Sequence, residues 1–419
     1  MTEETKKTKE EEMEEAIKEF EQQYPSVEEQ PKHPGWVSVA EVFKKAESLK
    51  KTGPIFENII FMLAYDLSSN IYVIKGDYLT IVDPGNDYTA FMALFDLGYE
   101  PGNIKKIVLT HGHRDHAMGT FELLRYPSIN ESKDLEIIIH KEGPDEFKKM
   151  INEIGFPLIE VKGGEILELS GYKWDVIHTP GHTVDGISLY HAQTKTAFTG
   201  DTVLPYGMAD IDDKGGGRLD HYLFGVKALL KRDIENILPG HGVPVVSAGR
   251  KVMETAYENV MATIIGAESK IQWIEAAMGL AQKGCLEEAV YCCDKELAKN
   301  PESLEIYQMK AFCLNDMGRC EESLMLFDKI LAQHSDNVHA ITGKGHALLG
   351  LGKYDESLKY FNEALGINPE MENAQVFKGM ALTLLGRHDE AMDIEAFKTE
   401  FAEKFKDEID KHQQQKKQD

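Results

Sequence analysis

The stretch LTHGHRDHAMG, residues 109–119, sets His111, His113, Asp115 and His116 within six positions, directly after the apolar run IKKIVLT (104–110). In an extended turn, residues two apart project the same way, so His111 and His113 can share one ion. Asp115 and His116 come a step later, where the chain enters a helix, and can face a second ion, while Gly112 leaves room for a tight turn. All five cysteines lie beyond residue 284. A metal site in this part of the chain is therefore restricted to imidazole and carboxylate ligands, a set that suits zinc, with iron or manganese as alternatives.

Further ligand types occur at comparable places along the chain. His182 follows the turn TPG (179–181) after the run KWDVIHT (173–179). Asp201 stands in FTGDT after KTAFTG (195–200), and His241 in LPGHG. Each candidate sits at a strand end beside a Gly or Pro turn, where a rigid sheet displays functional side chains. The expected sharing is His111, His113 and His182 on one metal and Asp115, His116 and His241 on the other, with Asp201 bridging them. Short β-rich runs at 58–65, 70–76, 78–85, 104–110, 135–140, 173–179, 187–192 and 195–201 are interrupted by helical segments at 88–99, 120–126 and 143–155. Strands mixed with helices in this way predict an α/β sandwich.

Over roughly residues 50–250 these motifs resemble the metallo-β-lactamase superfamily: Asp83 in IVDPG matches its first motif, His111–His116 the second, His182 the third, Asp201 the fourth and His241 the fifth. The resemblance implies an αββα sandwich with the metals at one edge of the two sheets. FTGDT, with its bridging Asp, looks like the glyoxalase II-like hydrolase branch. The function expected is that of a dinuclear hydrolase carrying two Zn²⁺, in which a metal-bridging hydroxide attacks a small thioester, lactone or ester, because metal-bound water has its pKa lowered to about 7. Asp115 and Asp201 are the expected catalytic carboxylates. Asp83 is read as an acceptor that orients ligands, and Thr183 as a hydrogen-bonding neighbour of His182. Tyr206 and Arg218 lie in the Gly-rich segment 204–222 that is expected to wall the substrate pocket. His140, His178 and His191 are read as structural. A mononuclear iron enzyme similar to the persulfide dioxygenases of the same superfamily is an alternative with a similar ligand set.

Beyond about residue 265 the β pattern gives way to a period. Gly284, Gly318, Gly352 and Gly386 are each 34 residues apart. Small residues recur five positions after each (Ala289, Ser323, Ser357, Ala391) and seven before (Ala277, Ala311, Gly345, Gly379). This helix–turn–helix register resembles the tetratricopeptide repeat (TPR), so an all-α TPR solenoid is expected. The last repeat departs from the register: Glu395 stands where Phe327 and Phe361 stood, which reads as a polar cap. The expected organisation is a charged N-terminal extension (1–35), a hydrolase domain (36–267), about four repeats (268–405) and a charged tail (406–419). The repeats imply a protein or peptide partner, or self-association, and a scaffold in which catalysis is secondary is a further alternative.

The 419 residues carry a formal net charge of −25, which is spread through both regions and disfavours nucleic acid. Neither a membrane-spanning apolar run nor an apolar signal-like N-terminus is present in the sequence. With an odd number of cysteines, this reads as a cytoplasmic protein with reduced thiols.

Overall fold

The computed structural model describes residues 36–38, 56–64, 68–267 and 272–404. The expected N-terminal extension (1–35) and C-terminal tail (406–419) lie outside them. The chain divides into two compact units, residues 1–257 and 258–419, and the division falls within the helix Gly249–Ile265, ahead of the join expected at 267/268.

In the first unit the described strands form two sheets. The first comprises β1 (Trp36–Ser38), β2 (Ile59–Met62), β3 (Ile71–Lys75), β4 (Leu79–Val82), β5 (Ile104–Val108), β6 (Glu136–His140) and β7 (Leu158–Val161), side by side in that order. Pairings from β1 to β4 are antiparallel and those from β4 to β7 are parallel. The second comprises β8 (Ile166–Leu169), β9 (Tyr172–His178), β10 (Ile187–His191), β11 (Thr196–Gly200) and β12 (Asn236–Pro239). It is an antiparallel meander until β12 joins β11 in parallel.

Strand alternation decides which side chains meet. Val73, Ile81, Ile107, Ile137 and Ile139 point outward from the first sheet to a core shared with Phe91, Leu94, Leu123, Phe147 and Ile151, which come from helices on that face. Their neighbours Tyr72, Ile74, Val82, Val108 and Ile138 point inward and meet Trp174, Val176, Leu189, Phe198 and Leu238 of the second sheet. Both faces of β2, β3, β4 and β6 are buried, which is why these strands read as nearly continuous apolar runs. On the second sheet, the helix Leu219–Leu230 is tied to the end of β9: Gly225 meets the backbone of Thr179 and Pro180. The layers are therefore helix, sheet, sheet, helix, as the αββα expectation required. Four described strands were not expected from the sequence. Among them β7 and β8 are four residues long and half exposed, and β12 ends in Pro239, so they carry little periodicity.

The second unit is helical. The pairs Trp273–Gln282/Leu286–Leu297, Leu304–Asp316/Cys320–Gln333 and Val338–Gly350/Tyr354–Ile367 are followed by Glu372–Leu384 and a broken partner, His388–Met392 plus Glu395–Lys404. Gly284, Gly318, Gly352 and Gly386 hold φ between 75° and 77°. Each ends a helix in the same way. The amide of the residue after the glycine reaches back to a carbonyl of the last turn, as in Arg319 N–H to Leu314 (2.8 Å) and Lys353 N–H to Leu348 (2.9 Å). Where helices cross, ring meets glycine: Phe361 fills the space beside Gly345, and Phe397 the space beside Gly379. In the last repeat the second helix breaks at Asp393–Ile394, so Phe397 supplies the buried ring while Glu395 is exposed. The departure at Glu395 is a shift of register with the packing ring retained.

Candidate metal centre

Five strand ends converge at one edge of the sandwich. The chain leaves β5 into the loop carrying His111 and His113, then enters the short helix Arg114–Ala117 carrying Asp115 and His116. His182 follows β9, Asp201 follows β11, His241 follows β12, and Asp83 follows β4. The structure brings all seven expected ligand residues together. His111 is grouped with His113 and His182, His116 with Asp115 and His241, and Asp201 with His111 and His116, with the donor atoms of each group within 4.8 Å of one another. The Asp201 carboxylate lies between the two sets: Oδ1 is 3.5 Å from His116 Nε2, while Oδ2 is 3.5 Å from His241 Nε2 and 3.7 Å from His182 Nε2.

Four of the five rings are oriented by a hydrogen bond at the other nitrogen, which determines the nitrogen presented to the cluster. His116 Nδ1 donates to Asp83 Oδ2 (2.9 Å). Asp83 also accepts from the Thr110 amide and hydroxyl (both 2.7 Å), and the Thr110 oxygen receives His111 Nδ1 (3.2 Å). One buried carboxylate thus positions two rings, and it does so from a left-handed backbone conformation, φ 52°. For an L-residue that conformation costs about 1–2 kcal/mol, which the three hydrogen bonds to its carboxylate offset. His113 Nε2 donates to Asp212 Oδ2 (2.9 Å), and His182 Nδ1 to the Asp210 carbonyl. His111 Nε2, His116 Nε2 and Asp201 Oδ1 are buried without a hydrogen-bond partner and face the cluster. Orphaned lone pairs of this kind are what a bound cation would satisfy.

The electrostatics agree. Burial, reinforced by the neighbouring His116, His182, His113 and His241, holds the His111 pKa well below normal, so the ring is a neutral ligand at pH 7. Burial opposes charge on His116 as well, yet Asp201 and Asp83 raise its pKa well above normal. The site therefore favours positive charge at that ring. Burial pushes the Asp115 carboxyl up, but the hydrogen bond from His241 and the charge of His116 outweigh it and hold the group at about 2. The cluster also depends on one missing side chain: a Cβ at Gly240 would lie 2.2 Å from Asp201 Oδ1 and 2.7 Å from His116 Cε1.

The other expected residues are placed unevenly. Thr183 is buried beside His182, its methyl group near Gly215. Tyr206 stands largely exposed on the tight turn closed by Leu204 and Gly207, and partial desolvation of its hydroxyl together with the nearby Asp201 and Asp210 raises its pKa. Arg218 does not reach the cluster: its guanidinium forks onto Asp220 (2.9 and 2.7 Å). His140 and His178 stack at 4.2 Å, and His191 is tied to Thr194.

Asp185 Oδ2 accepts the Gly112 amide (2.8 Å) and fastens the histidine loop. Two groups that matter here, Asp212 and Asn70, were not assigned from the sequence. Asp212 carries His113. Asn70 donates its amide side chain to the carbonyls of Pro239 (2.9 Å) and Gly242 (2.7 Å), bracketing His241. The polar run SSN (68–70) ahead of the apolar β3 is the sequence signal for the last of these.

Comparison with known proteins bears on both units. The model of the metallo-beta-lactamase superfamily matches residues 64–241, and a tetratricopeptide-repeat model matches residues 316–372 and 342–396. The chain is 32% identical over 202 residues to a probable metallo-hydrolase of Methanocaldococcus jannaschii, covering 44% of this chain and 92% of that one. It is 28% identical over 176 residues to the hydroxyacylglutathione hydrolase GloC of Haemophilus influenzae, covering 39% and 79%. It is 25% identical over 187 residues to the atrochrysone carboxyl ACP thioesterase AgnL7 of Paecilomyces divaricatus, covering 44% of this chain and 53% of that relative, about half its length.

Proposed function

The chain belongs to the metallo-beta-lactamase superfamily as one of its hydrolases, and we propose that it is a dinuclear enzyme hydrolysing a small thioester, lactone or related ester. The observation that carries this reading is the Asp201 carboxylate, which turns one oxygen toward His116 and the other toward His182 and His241. In this assignment His111, His113 and His182 hold one ion, Asp115, His116 and His241 hold the other, and Asp201 belongs to both. Nitrogen and carboxylate donors with no thiolate suit Zn²⁺ first and Fe or Mn after it.

Two ions held there would supply a water acidified to a pKa of about 7 as nucleophile and Lewis-acid polarisation of the scissile carbonyl. The chain's own residues supply orientation and proton traffic. Asp83 and Thr110 keep His111 and His116 in the tautomers that face the centre. Asp201, its side chain 9% exposed, is the buried carboxylate that lies between the two ligand sets. Asp115, with 32% of its side chain exposed, lies nearer the solvent; held ionised, its carboxylate takes up the proton released by the attacking water and relays it to the leaving thiolate or alkoxide. One relative is named a thioesterase and another a hydroxyacylglutathione hydrolase, which supports testing thioesters first.

Tetratricopeptide repeats generally mediate protein–protein contacts, and in this proposal the repeats recruit a protein or peptide, or a second copy of the chain, to the hydrolase. No helix among the described residues is long and apolar enough to cross a membrane. A cytoplasmic location is part of the proposal, supported by the five free cysteines. The test is a hydrolysis screen of the metal-loaded full chain against thioesters, lactones and phosphodiesters. Turnover of a thioester, lactone or ester that Asp201→Ala abolishes is the expected result. Turnover of phosphodiesters alone, or none at full metal loading, contradicts the proposal.

A further inference from the structure

We propose that Asp212 is a positioning residue for one ion only: the strap Asp210–Gly217 makes the site formed by His111, His113 and His182 conditional on itself and leaves the site of Asp115, His116 and His241 independent. This rests on the dinuclear assignment above.

The two ligand sets are braced from different places. His116 is held by Asp83, and the side chains of that pair are 0% and 3% exposed. His113 is held by Asp212, and both side chains are 30% exposed. The same strap supplies the Asp210 carbonyl to His182 Nδ1. With those hydrogen bonds made, His113 is left presenting Nδ1 and His182 presenting Nε2, and these atoms lie 3.0 Å apart. Asp212 is itself pinned, since its other oxygen accepts the Lys214 amide (3.0 Å).

The strap lies along the His182 loop through backbone hydrogen bonds: Asp212 N–H to His182 (2.9 Å), Val184 N–H to Gly215 (2.9 Å) and Arg218 N–H to Gly181 (3.0 Å). So close an approach is why three glycines follow one another at 215–217. A Cβ at Gly217 would lie 2.3 Å from the His182 carbonyl oxygen, and one at Gly215 would lie 2.6 Å from Asp212 Oδ2. A carboxylate that fixes the tautomer and orientation of a metal-binding histidine is typically worth about 10–100-fold in metal affinity. Here that effect falls on one site of two, because no residue of the strap is hydrogen-bonded to Asp115, His116 or His241 among the described residues.

The test is zinc titration of metal-stripped full-length protein in competition with a chromophoric chelator, alongside thermal melting of the stripped protein. Wild-type chain is expected to bind two ions. Asp212→Ala is expected to keep one with the wild-type constant and bind the other about 10–100-fold more weakly, with an unchanged melting temperature. Asp212→Asn retains an acceptor and should fall between. Gly217→Ala, which displaces the strap from the His182 loop, should reproduce the selective loss. Wild-type protein that binds two ions while Asp212→Ala leaves both constants unchanged, or weakens both together, overturns this inference alone. Wild-type protein that binds fewer than two ions overturns the dinuclear assignment and this inference with it.

Discussion

The two units of this chain hold themselves together over very different distances in sequence. In the α/β unit, His241 meets Asp115 across 126 positions, and Asn70 reaches Pro239 across 169. In the helical unit, Phe361 packs on Gly345 of the same repeat, and the Ser323 hydroxyl donates to the Ala311 carbonyl at 2.8 Å, twelve positions away. The first arrangement concentrates chemistry at one point and makes each member dependent on the others. The second spreads stability along a row of similar crossings, so that damage stays near its origin.

Substitution at the convergence point gives the largest expected effect. Asp201→Ala removes the carboxylate shared by both ligand sets and His116→Ala a buried ring of one of them, and in either variant hydrolysis should fall by about 10³-fold or more, since metal catalysis supplies several kcal/mol to the transition state. Circular dichroism should show the fold retained; equal activity in these variants would break the proposed link between the cluster and catalysis. Next comes the packing of the repeats. Phe361 is fully buried, and Phe361→Ala should cost the helical unit about 3–5 kcal/mol. Denaturant unfolding is expected to show that loss while esterase or thioesterase turnover in the first unit persists. A parallel loss of activity would show that the units do not behave separately.

Smaller changes sharpen the comparison. Asp83→Asn keeps the size of the side chain but not its charge, and should weaken metal binding by about 10–100-fold, measured by chelator competition. The smallest effect concerns acid stability. Burial and the neighbouring His178 lower the His140 pKa to about 4, below the normal 6.5. Between those values the unfolded chain binds a proton that the folded chain does not, so this group's contribution is complete above pH 6.5 and is lost as pH falls toward 4. His140→Asn should therefore flatten the decline in stability between pH 6.5 and 4 in urea melts, and leave the helical unit's profile unchanged.

The contrast also explains what could be read from the sequence. HGHRDH is legible because its ligands are local and its spacing has one reading on an extended turn entering a helix. The glycine register is legible because the repeats recur, and each glycine meets the same left-handed turn. Asp212 was not assigned because its partner His113 lies 99 positions away, and an aspartate in DIDDKGGGR reads equally well as a solvated loop. Arg218 stood out in the same loop, yet its charge is spent on its neighbour Asp220. The last repeat shows the limit of a fixed period. Glu395 occupies the expected position, but two residues without helical pairing shift the register and bring Phe397 to the seat beside Gly379.

Metal stoichiometry tests the central claim most directly. Purified full-length chain, stripped and reloaded, should take up two divalent ions as measured by inductively coupled plasma mass spectrometry, and His116→Ala should no longer reach two. A single iron per wild-type chain accompanied by oxygen consumption, or two ions bound equally well by His116→Ala, would contradict the account.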